Sequence, residues 1–264
     1  MKTEMRFETI LFSVRDGIAT IRLNRPHRLN AVIEQLYRDV IAGVDLAESD
    51  PEVRAVVITG EGRAFCVGAD LKEHGRGERD PLQQRNYLVL GNDVCRRIYT
   101  SSKIVIAAVN GYAIGAGAEI AVSSDFILMK DSAELGFPEV SIGTFVGGGV
   151  THLLPRLVGL TKARELIIGG RRVGGREAVA IGLATRSFED GAFDAGVAEF
   201  ASSVAGKAPF SLGFAKEHLN DGGRGYQAAL GTELEALRAC MVTQDWKEGV
   251  AAFAEKRKPV FKGN

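Results

Sequence analysis

Residues Ile104-Val105-Ile106-Ala107-Ala108-Val109-Asn110-Gly111-Tyr112-Ala113-Ile114-Gly115-Ala116-Gly117-Ala118-Glu119-Ile120-Ala121-Val122 form a run in which only Asn110 and Glu119 are strongly polar. A run of this length is long enough to cross a bilayer. Three glycines and a central acid argue against that, since a mid-membrane carboxylate costs roughly 2.5 to 3.5 kcal/mol on insertion scales. The run reads better as a buried strand over 104–109, a glycine turn and the start of a helix carrying Glu119. A second apolar, β-branched run, residues 53–59, ends in Gly60. Strands without polar alternation are buried on both faces, as in parallel sheets. Residues 82–99 between them have helical spacing, which makes a strand, crossover helix, strand unit and an α/β fold.

Residues 7–23 predict two strands joined at Asp16-Gly17, the second placing Ala19, Ile21 and Leu23 on one face. Asn24-Arg25-Pro26 stops it. Asn30 is a candidate N-cap for a helix with apolar positions Ile33, Leu36, Val40, Ile41, Val44 and Leu46, which runs to Ser49-Asp50-Pro51. After Met129 strand character fades, and residues 153–159, 161–169, 176–183, 193–205, 211–219, 226–242 and 245–257 favour helix. We expect a core over residues 1–208 and a packed helical subdomain over 209–264, with no Ser/Gly-rich linker between them.

The two buried strands head a weak internal repeat. Val56-Val57-Ile58-Thr59-Gly60 is followed by Gly68-Ala69-Asp70-Leu71, and Ala107-Ala108-Val109-Asn110-Gly111 by Gly117-Ala118-Glu119-Ile120. Two helix starts in equivalent places would aim unpaired backbone N–H groups into one crevice beyond the strand ends.

Composition excludes several classes. Among 264 residues, 33 Lys and Arg balance 33 Asp and Glu, so no uniform field draws in nucleic acid or an anionic membrane. The only basic clusters are Arg96-Arg97 with Lys103 and Arg171-Arg172 with Arg176, too small for an RNA-binding face. Cys66, Cys95 and Cys240 form neither a disulfide framework nor a CxxC pair. The N-terminal residues carry no apolar or Arg/Ser-rich targeting pattern, and a cytoplasmic location is expected. Dinucleotide, P-loop, nucleophile-elbow and zinc motifs are absent, and His27, His74, His152 and His218 do not cluster. No metal site is expected.

Backbone donors and carboxylates remain. Glu119 and Glu139 each sit among apolar neighbours, and burial raises a carboxyl pKa toward the range useful for proton transfer. An acid/base pair is one reading. The other is that Glu119 satisfies helix-start N–H groups while Glu139 is solvated on a loop.

One set of motifs runs in order along nearly the whole chain. It begins with Asn24-Arg25-Pro26 and Leu29-Asn30-Ala31, Ala64-Phe65 with Gly68-Ala69-Asp70-Leu71-Lys72-Glu73, and Ala107 to Ala113. It continues through Gly115-Ala116-Gly117-Ala118-Glu119, Asp125, Phe137-Pro138-Glu139, Gly143, Leu154-Pro155-Arg156, Glu177-Ala178, Gly182-Leu183, Phe253 and Glu255-Lys256-Arg257. In this order the residues resemble the crotonase, or enoyl-CoA hydratase/isomerase, superfamily. The resemblance implies a spiral of repeated ββα units with C-terminal helices that trimerise, giving a homotrimer or a dimer of trimers. The implied substrate is an acyl-CoA thioester, with coenzyme A as part of the substrate and no separate cofactor.

By position, the resemblance makes the Ala69 and Ala116 N–H groups an oxyanion hole, whereas the internal repeat alone pairs Ala69 with Ala118. Glu119 and Glu139 fall on the hydratase acid/base pair. Arg28, Leu29, Gly68, Asp70, Leu71 and Lys72 fall near the CoA adenosine and phosphates, and Phe253 and Lys256 on a pair reaching the nucleotide from a neighbouring subunit. The implied reaction is reversible hydration of a trans-2-enoyl-CoA to a 3-hydroxyacyl-CoA. The alternatives are a double-bond isomerase using Glu139 alone and a non-catalytic acyl-CoA or RNA binder on the same scaffold. Ala116 stands where glycine is common, Val67 replaces a smaller residue, and residues 144–152 replace a proline-containing stretch. With residues 74–84, these departures leave the acyl specificity open.

Overall fold

The two apolar runs lie side by side. The computed structural model, which describes residues 3–74, 80–221 and 225–264, pairs them in parallel from Ala55 opposite Ile104 to Thr59 opposite Ala108. The described strands are β1 (Thr3–Arg6), β2 (Ile10–Arg15), β3 (Ile18–Leu23), β4 (Ala55–Gly60), β5 (Ala64–Cys66), β6 (Ile104–Val109), β7 (Tyr112–Ile114), β8 (Phe126–Lys130), β9 (Glu134–Gly136), β10 (Val173–Gly174) and β11 (Arg186–Phe188). The helices are α1 (Glu34–Ser49), α2 (Leu71–His74), α3 (Pro81–Thr100), α4 (Ala116–Val122), α5 (Val150–Ile167), α6 (Gly175–Ala180), α7 (Phe193–Ala205), α8 (Pro209–Asn220), α9 (Tyr226–Met241) and α10 (Gln244–Glu255).

The large sheet has the order β1-β2-β3-β4-β6-β8-β11. It is antiparallel at its β1–β2–β3 edge and parallel from β3 onward. A smaller sheet, β10-β9-β7-β5, stands beside it. The chain winds between the two: a long strand, a short strand, then helix, as in β4–β5–α2–α3, β6–β7–α4 and β8–β9–α5. This is the crotonase-type spiral of ββα units.

Both faces of the large sheet are covered. Val56, Ile58, Val105, Ala107 and Val109 share a core with Leu36, Val40 and Val44 of α1 and Val94 and Ile98 of α3. Ala55, Val57, Ile104, Ile106 and Ala108 point the other way, against Phe193, Ala201 and Val204 of α7. Double-sided burial is the physical reason these strands lack polar alternation. Among the described residues no helix is long and apolar enough to cross a membrane, and the 104–122 run is β6, β7 and α4.

Three sequence expectations are corrected. Asn30 is not an N-cap: α1 starts at Glu34 behind Ile33. Asn30 instead takes a left-handed φ of 56°, accepts from the Arg25 N–H at 2.9 Å and donates to the carbonyls of Glu61 and Ala64 at 3.0 and 2.8 Å. Its amide ties two loops together, which is why a buried polar residue stands there. Residues 153–159 and 161–169 merge into α5, kinked at Gly159 (φ 76°, ψ 157°). Strands also persist beyond Met129, because β9, β10 and β11 are two or three residues long, too short to display a two-residue period.

The helices from Pro209 onward attach to the spiral through a buried ion pair. Lys216 Nζ of α8 lies 2.8 Å from Asp125 Oδ2 and donates to the carbonyls of Ile98 and Lys103 at 2.9 and 3.0 Å. Asp125 also accepts from the Val105 N–H at 2.7 Å. Burial pushes Asp125 up and Lys216 down, against their mutual attraction, and the two carbonyls on Lys216 and the Val105 N–H on Asp125 offset that cost. Removing one partner from such a pair costs about 3 to 5 kcal/mol. Lys216→Ala is therefore expected to lower the urea unfolding free energy by roughly that amount, and an unchanged midpoint would contradict this account.

Candidate active site

Two chain segments leave the small sheet and touch. In the first, Ala69 bridges Val32 in parallel: the Val32 N–H donates to Gly68 O at 2.8 Å and the Asp70 N–H donates to Val32 O at 2.9 Å. Because its neighbours carry those bonds, Ala69 turns its own N–H away from Val32. In the second, Gly115 (φ 57°) precedes α4 and has no side chain to cap it. Ala116 is the first helical residue, whose N–H has no partner within a helix. No hydrogen bond joins the Ala69 or the Ala116 N–H to another described residue.

The contact is backbone on backbone. Gly68 has φ +85°, and a Cβ there would lie 3.0 Å from Ile114 O, 3.6 Å from the Ala116 nitrogen and 3.7 Å from Gly115 Cα. Only glycine satisfies both the angle and the approach. The β5–β7 pairing shifts register between Ala64 and Cys66, and beyond the shift Cys66 stands opposite Ala113; three residues further along each chain segment come Ala69 and Ala116. The internal repeat, which pairs Ala69 with Ala118, is two residues out of step with this ladder.

Glu119 lies in the first turn of α4, and Glu139 opens a 3-10 turn over Glu139–Ile142 behind the buried Phe137. Both side chains are buried, at 9% and 7% exposure; Glu139 is not solvated on a loop. A Cβ on Gly115 would lie 3.0 Å from Glu139 Oε1, so this carboxyl group reaches the same backbone segment that presents the Ala116 N–H.

Burial raises the Glu119 pKa most, the Gly147 N–H opposes the rise, and the nearby Glu139 adds to it. Burial likewise raises Glu139, against its own backbone N–H. The two are unequal in hydrogen bonding. Glu119 Oε1 accepts from the Gly147 N–H at 2.6 Å, which favours its ionised form. Glu139 Oε2 is buried with no partner among the described residues, which favours its protonated form. Neighbouring thiols do not compete as nucleophiles, since burial pushes Cys66 and Cys95 up to about 12.

The residues matched to CoA fall into two groups. Asp70 is buried between Arg25 and Arg28, at 3.3 and 3.1 Å, so its carboxylate is spent on guanidinium groups. Leu29 follows Arg28 with a left-handed φ of 52°, and Leu71 and Lys72 are exposed at the start of α2. These surround Gly68 and Ala69 along the chain. Phe253 and Lys256 lie at the end of α10; Phe253 is 89% exposed, and Lys256 makes no ion pair with a described residue. Of the loop 74–84, residues 75–79 lie outside the described residues. Sequence reasoning missed the Gly147 N–H on Glu119; the signal for it was the unbroken Gly147-Gly148-Gly149 within the atypical segment.

Comparison with known proteins gives the family. The profile of the enoyl-CoA hydratase/isomerase family matches residues 13–264. The chain is 36% identical over 259 residues to the short-chain-enoyl-CoA hydratase of Clostridium acetobutylicum, covering 96% of this chain and 97% of that one. It is 34% identical over 259 residues to the crotonyl-CoA hydratase of Syntrophomonas wolfei, covering 97% and 99%. The crystal structure of an enoyl-CoA hydratase from Bacillus anthracis superposes with a TM-score of 0.90 at 31% identity, covering 100% of this chain and 99% of that one. The chain belongs to the enoyl-CoA hydratase/isomerase family of the crotonase superfamily and is an enzyme of that family.

Raised carboxyl pKa values have a stability consequence. A group that binds its proton more tightly when folded supports the fold fully below its unfolded pKa, and that support is lost as pH rises through the folded value. Glu119→Gln and Glu139→Gln are therefore expected to raise the thermal midpoint at pH 7 to 8 relative to the parent. The gain should vanish near pH 4, where the carboxyls are protonated anyway. A gain larger at pH 4 than at pH 8 would contradict the burial argument.

Proposed function

We propose that the protein catalyses reversible hydration of a trans-2-enoyl-CoA to the 3-hydroxyacyl-CoA. The observation that carries this reading is the unlike pair of buried carboxyl groups beside two outward backbone N–H groups. The charge of each disfavours ionisation of the other. The Gly147 N–H supports the reading of Glu119 as the ionised member, and the partnerless Oε2 that of Glu139 as the protonated one.

The chemistry follows from this assignment. The thioester oxygen accepts from the Ala69 and Ala116 N–H groups, which draws electron density from the β-carbon. Glu119 takes a proton from water as its oxygen bonds to the β-carbon. The electron pair of the double bond moves toward the thioester, and the resulting enolate oxygen is held by the same two donors. Glu139 gives its proton to the α-carbon, and exchange with solvent restores both groups. Preorganised amides aimed at developing charge are effective because they need no reorganisation, and losing one such donor costs roughly 2.7 to 4 kcal/mol in a comparable site.

Coenzyme A enters as part of the substrate, held near Arg28, Leu29, Gly68, Asp70, Leu71 and Lys72, with Lys72 as a point charge for phosphate. Phe253 and Lys256 reach the nucleotide of a neighbouring subunit. A homotrimer, or a dimer of trimers, is supported by an apolar stripe on α9, where Leu230, Leu234, Leu237 and Met241 recur at helical spacing and are exposed in the single chain. The reading places the enzyme in the cytoplasm.

The test is turnover of crotonyl-CoA, followed as loss of the enoyl absorbance. The parent should hydrate it, and Glu119→Gln should lower kcat by about 10²- to 10⁴-fold, the usual span for a positioned general base. No hydration of crotonyl-CoA or longer enoyl-CoA esters by folded protein contradicts the proposal. Retention of most activity by Glu119→Gln, with migration of a double bond, supports the isomerase instead.

A further inference from the structure

The turn that holds Glu119 is itself held. Gly147 donates to Glu119 Oε1 at 2.6 Å, and the next residue, Gly148, donates its N–H to Asn92 Oδ1 at 3.0 Å. Asn92 belongs to α3, Glu119 to α4, and the glycines lie ahead of α5. Three different elements thus meet at two successive peptide groups.

This turn cannot hold itself. Gly148 and Gly149 have φ of +59° and +77°, and glycine gives up more conformational freedom on ordering than any other residue. Gly148 is also pressed against its neighbours: a Cβ there would lie 2.6 Å from Cys95 Sγ and 3.1 Å from Glu119 Cβ. One at Gly147 would lie 3.3 Å from Glu119 Oε2 and 3.4 Å from Asn92 Oδ1. The Asn92 carbonyl oxygen and the Glu119 carboxylate close on the same glycine.

We propose that Asn92 is a positioning residue: by accepting from the Gly148 N–H it fixes the Gly147–Gly148 peptide, and through the shared Gly147 Cα this restrains the preceding Val146–Gly147 peptide so that the Gly147 N–H stays directed at Glu119 Oε1. This rests on the hydratase reading of Glu119. An amide suits the position better than an acid, because it supplies an acceptor without adding charge beside Glu119. The titratable groups that face Glu119 are Glu139 from the 3-10 turn, Tyr37 from α1, Cys66 from β5 and Cys95 from α3. Burial keeps the phenol and both thiols neutral across the working range, so Glu139 alone titrates against it.

The experiment compares kcat, KM and the pH profile of crotonyl-CoA hydration for the full chain and for Asn92→Ala and Asn92→Asp. Asn92→Ala is expected to lower kcat about tenfold, what one hydrogen bond is worth, with KM changed by less than about twofold. Its acid limb should move to higher pH, because a loosened Gly147 N–H no longer favours the ionised carboxylate. Asn92→Asp keeps an acceptor for the Gly148 N–H. It should recover kcat to within about threefold on the alkaline plateau, while its own charge moves the acid limb further up.

Parent-like kcat and acid limb in Asn92→Ala overturn the proposal, as does an Asn92→Asp plateau no higher than that of Asn92→Ala. If Asn92→Ala does not fold, Asn92→Gln, which displaces the amide by one methylene, carries the same expectation and the same contradiction. If the parent itself hydrates nothing, the reaction assignment has failed, and amide hydrogen exchange at Gly147 decides the clamp separately. Faster exchange in Asn92→Ala with Asn92→Asp near the parent supports it, and unchanged exchange overturns it.

Discussion

The site depends on one close approach, the backbone of Gly68 lying against Gly115 and Ala116. Most side chains at either glycine would wedge the two segments apart, since a Cβ on Gly68 meets Ile114 O and one on Gly115 meets Glu139 Oε1. The approach in turn requires that β5 and β7 run parallel with Cys66 opposite Ala113, beyond a register shift after Ala64, and β5 and β7 follow β4 and β6 of the large sheet in the chain. A sheet buried on both faces has little freedom to slip, because a one-residue shift would turn each strand's inward residues outward. The core therefore fixes where two backbone nitrogens stand, and the chemistry borrows that rigidity.

The carboxyl groups are placed at a cost to the fold. Burying Glu119 and Glu139 works against ionisation of both, and among the described residues Glu139 Oε2 lacks the partner that nearly all buried polar atoms have. A fold indifferent to function would replace one of them with an amide or an apolar residue. Their different surroundings, the Gly147 N–H on one and an oxygen without a partner among the described residues on the other, separate an otherwise equivalent pair into a base and an acid, which is the general way a single site runs both halves of a proton transfer.

The long elements were legible because burial writes itself into composition. β4 and β6 lack charged residues and polar alternation, and α3 shows helical spacing, so strand, helix, strand could be read directly. The short strands were not legible, because β9, β10 and β11 are fixed by pairing with neighbours rather than by any pattern of their own. Asn30 shows a subtler limit. Its residue type suits both a helix cap and a left-handed loop junction, and only the tertiary contacts with Glu61 and Ala64 decide between them. In the site, Glu119 and Glu139 stood out as acids in apolar surroundings. The partner of Ala69 did not, because similar motifs align 69 with 118 while the strand ladder aligns it with 116. Asn92 and Gly147 carry no local signal that joins them, since their contact spans three elements.

The central claim is that one cavity presents two main-chain donors to a thioester oxygen and two carboxyl groups to the adjoining carbons. A crystal structure with a non-reactive CoA thioester bound tests this directly. The account predicts the thioester oxygen within about 3 Å of both the Ala69 and Ala116 nitrogens, with the α- and β-carbons between Glu139 and Glu119. A thioester bound elsewhere, or held by neither nitrogen, would contradict it.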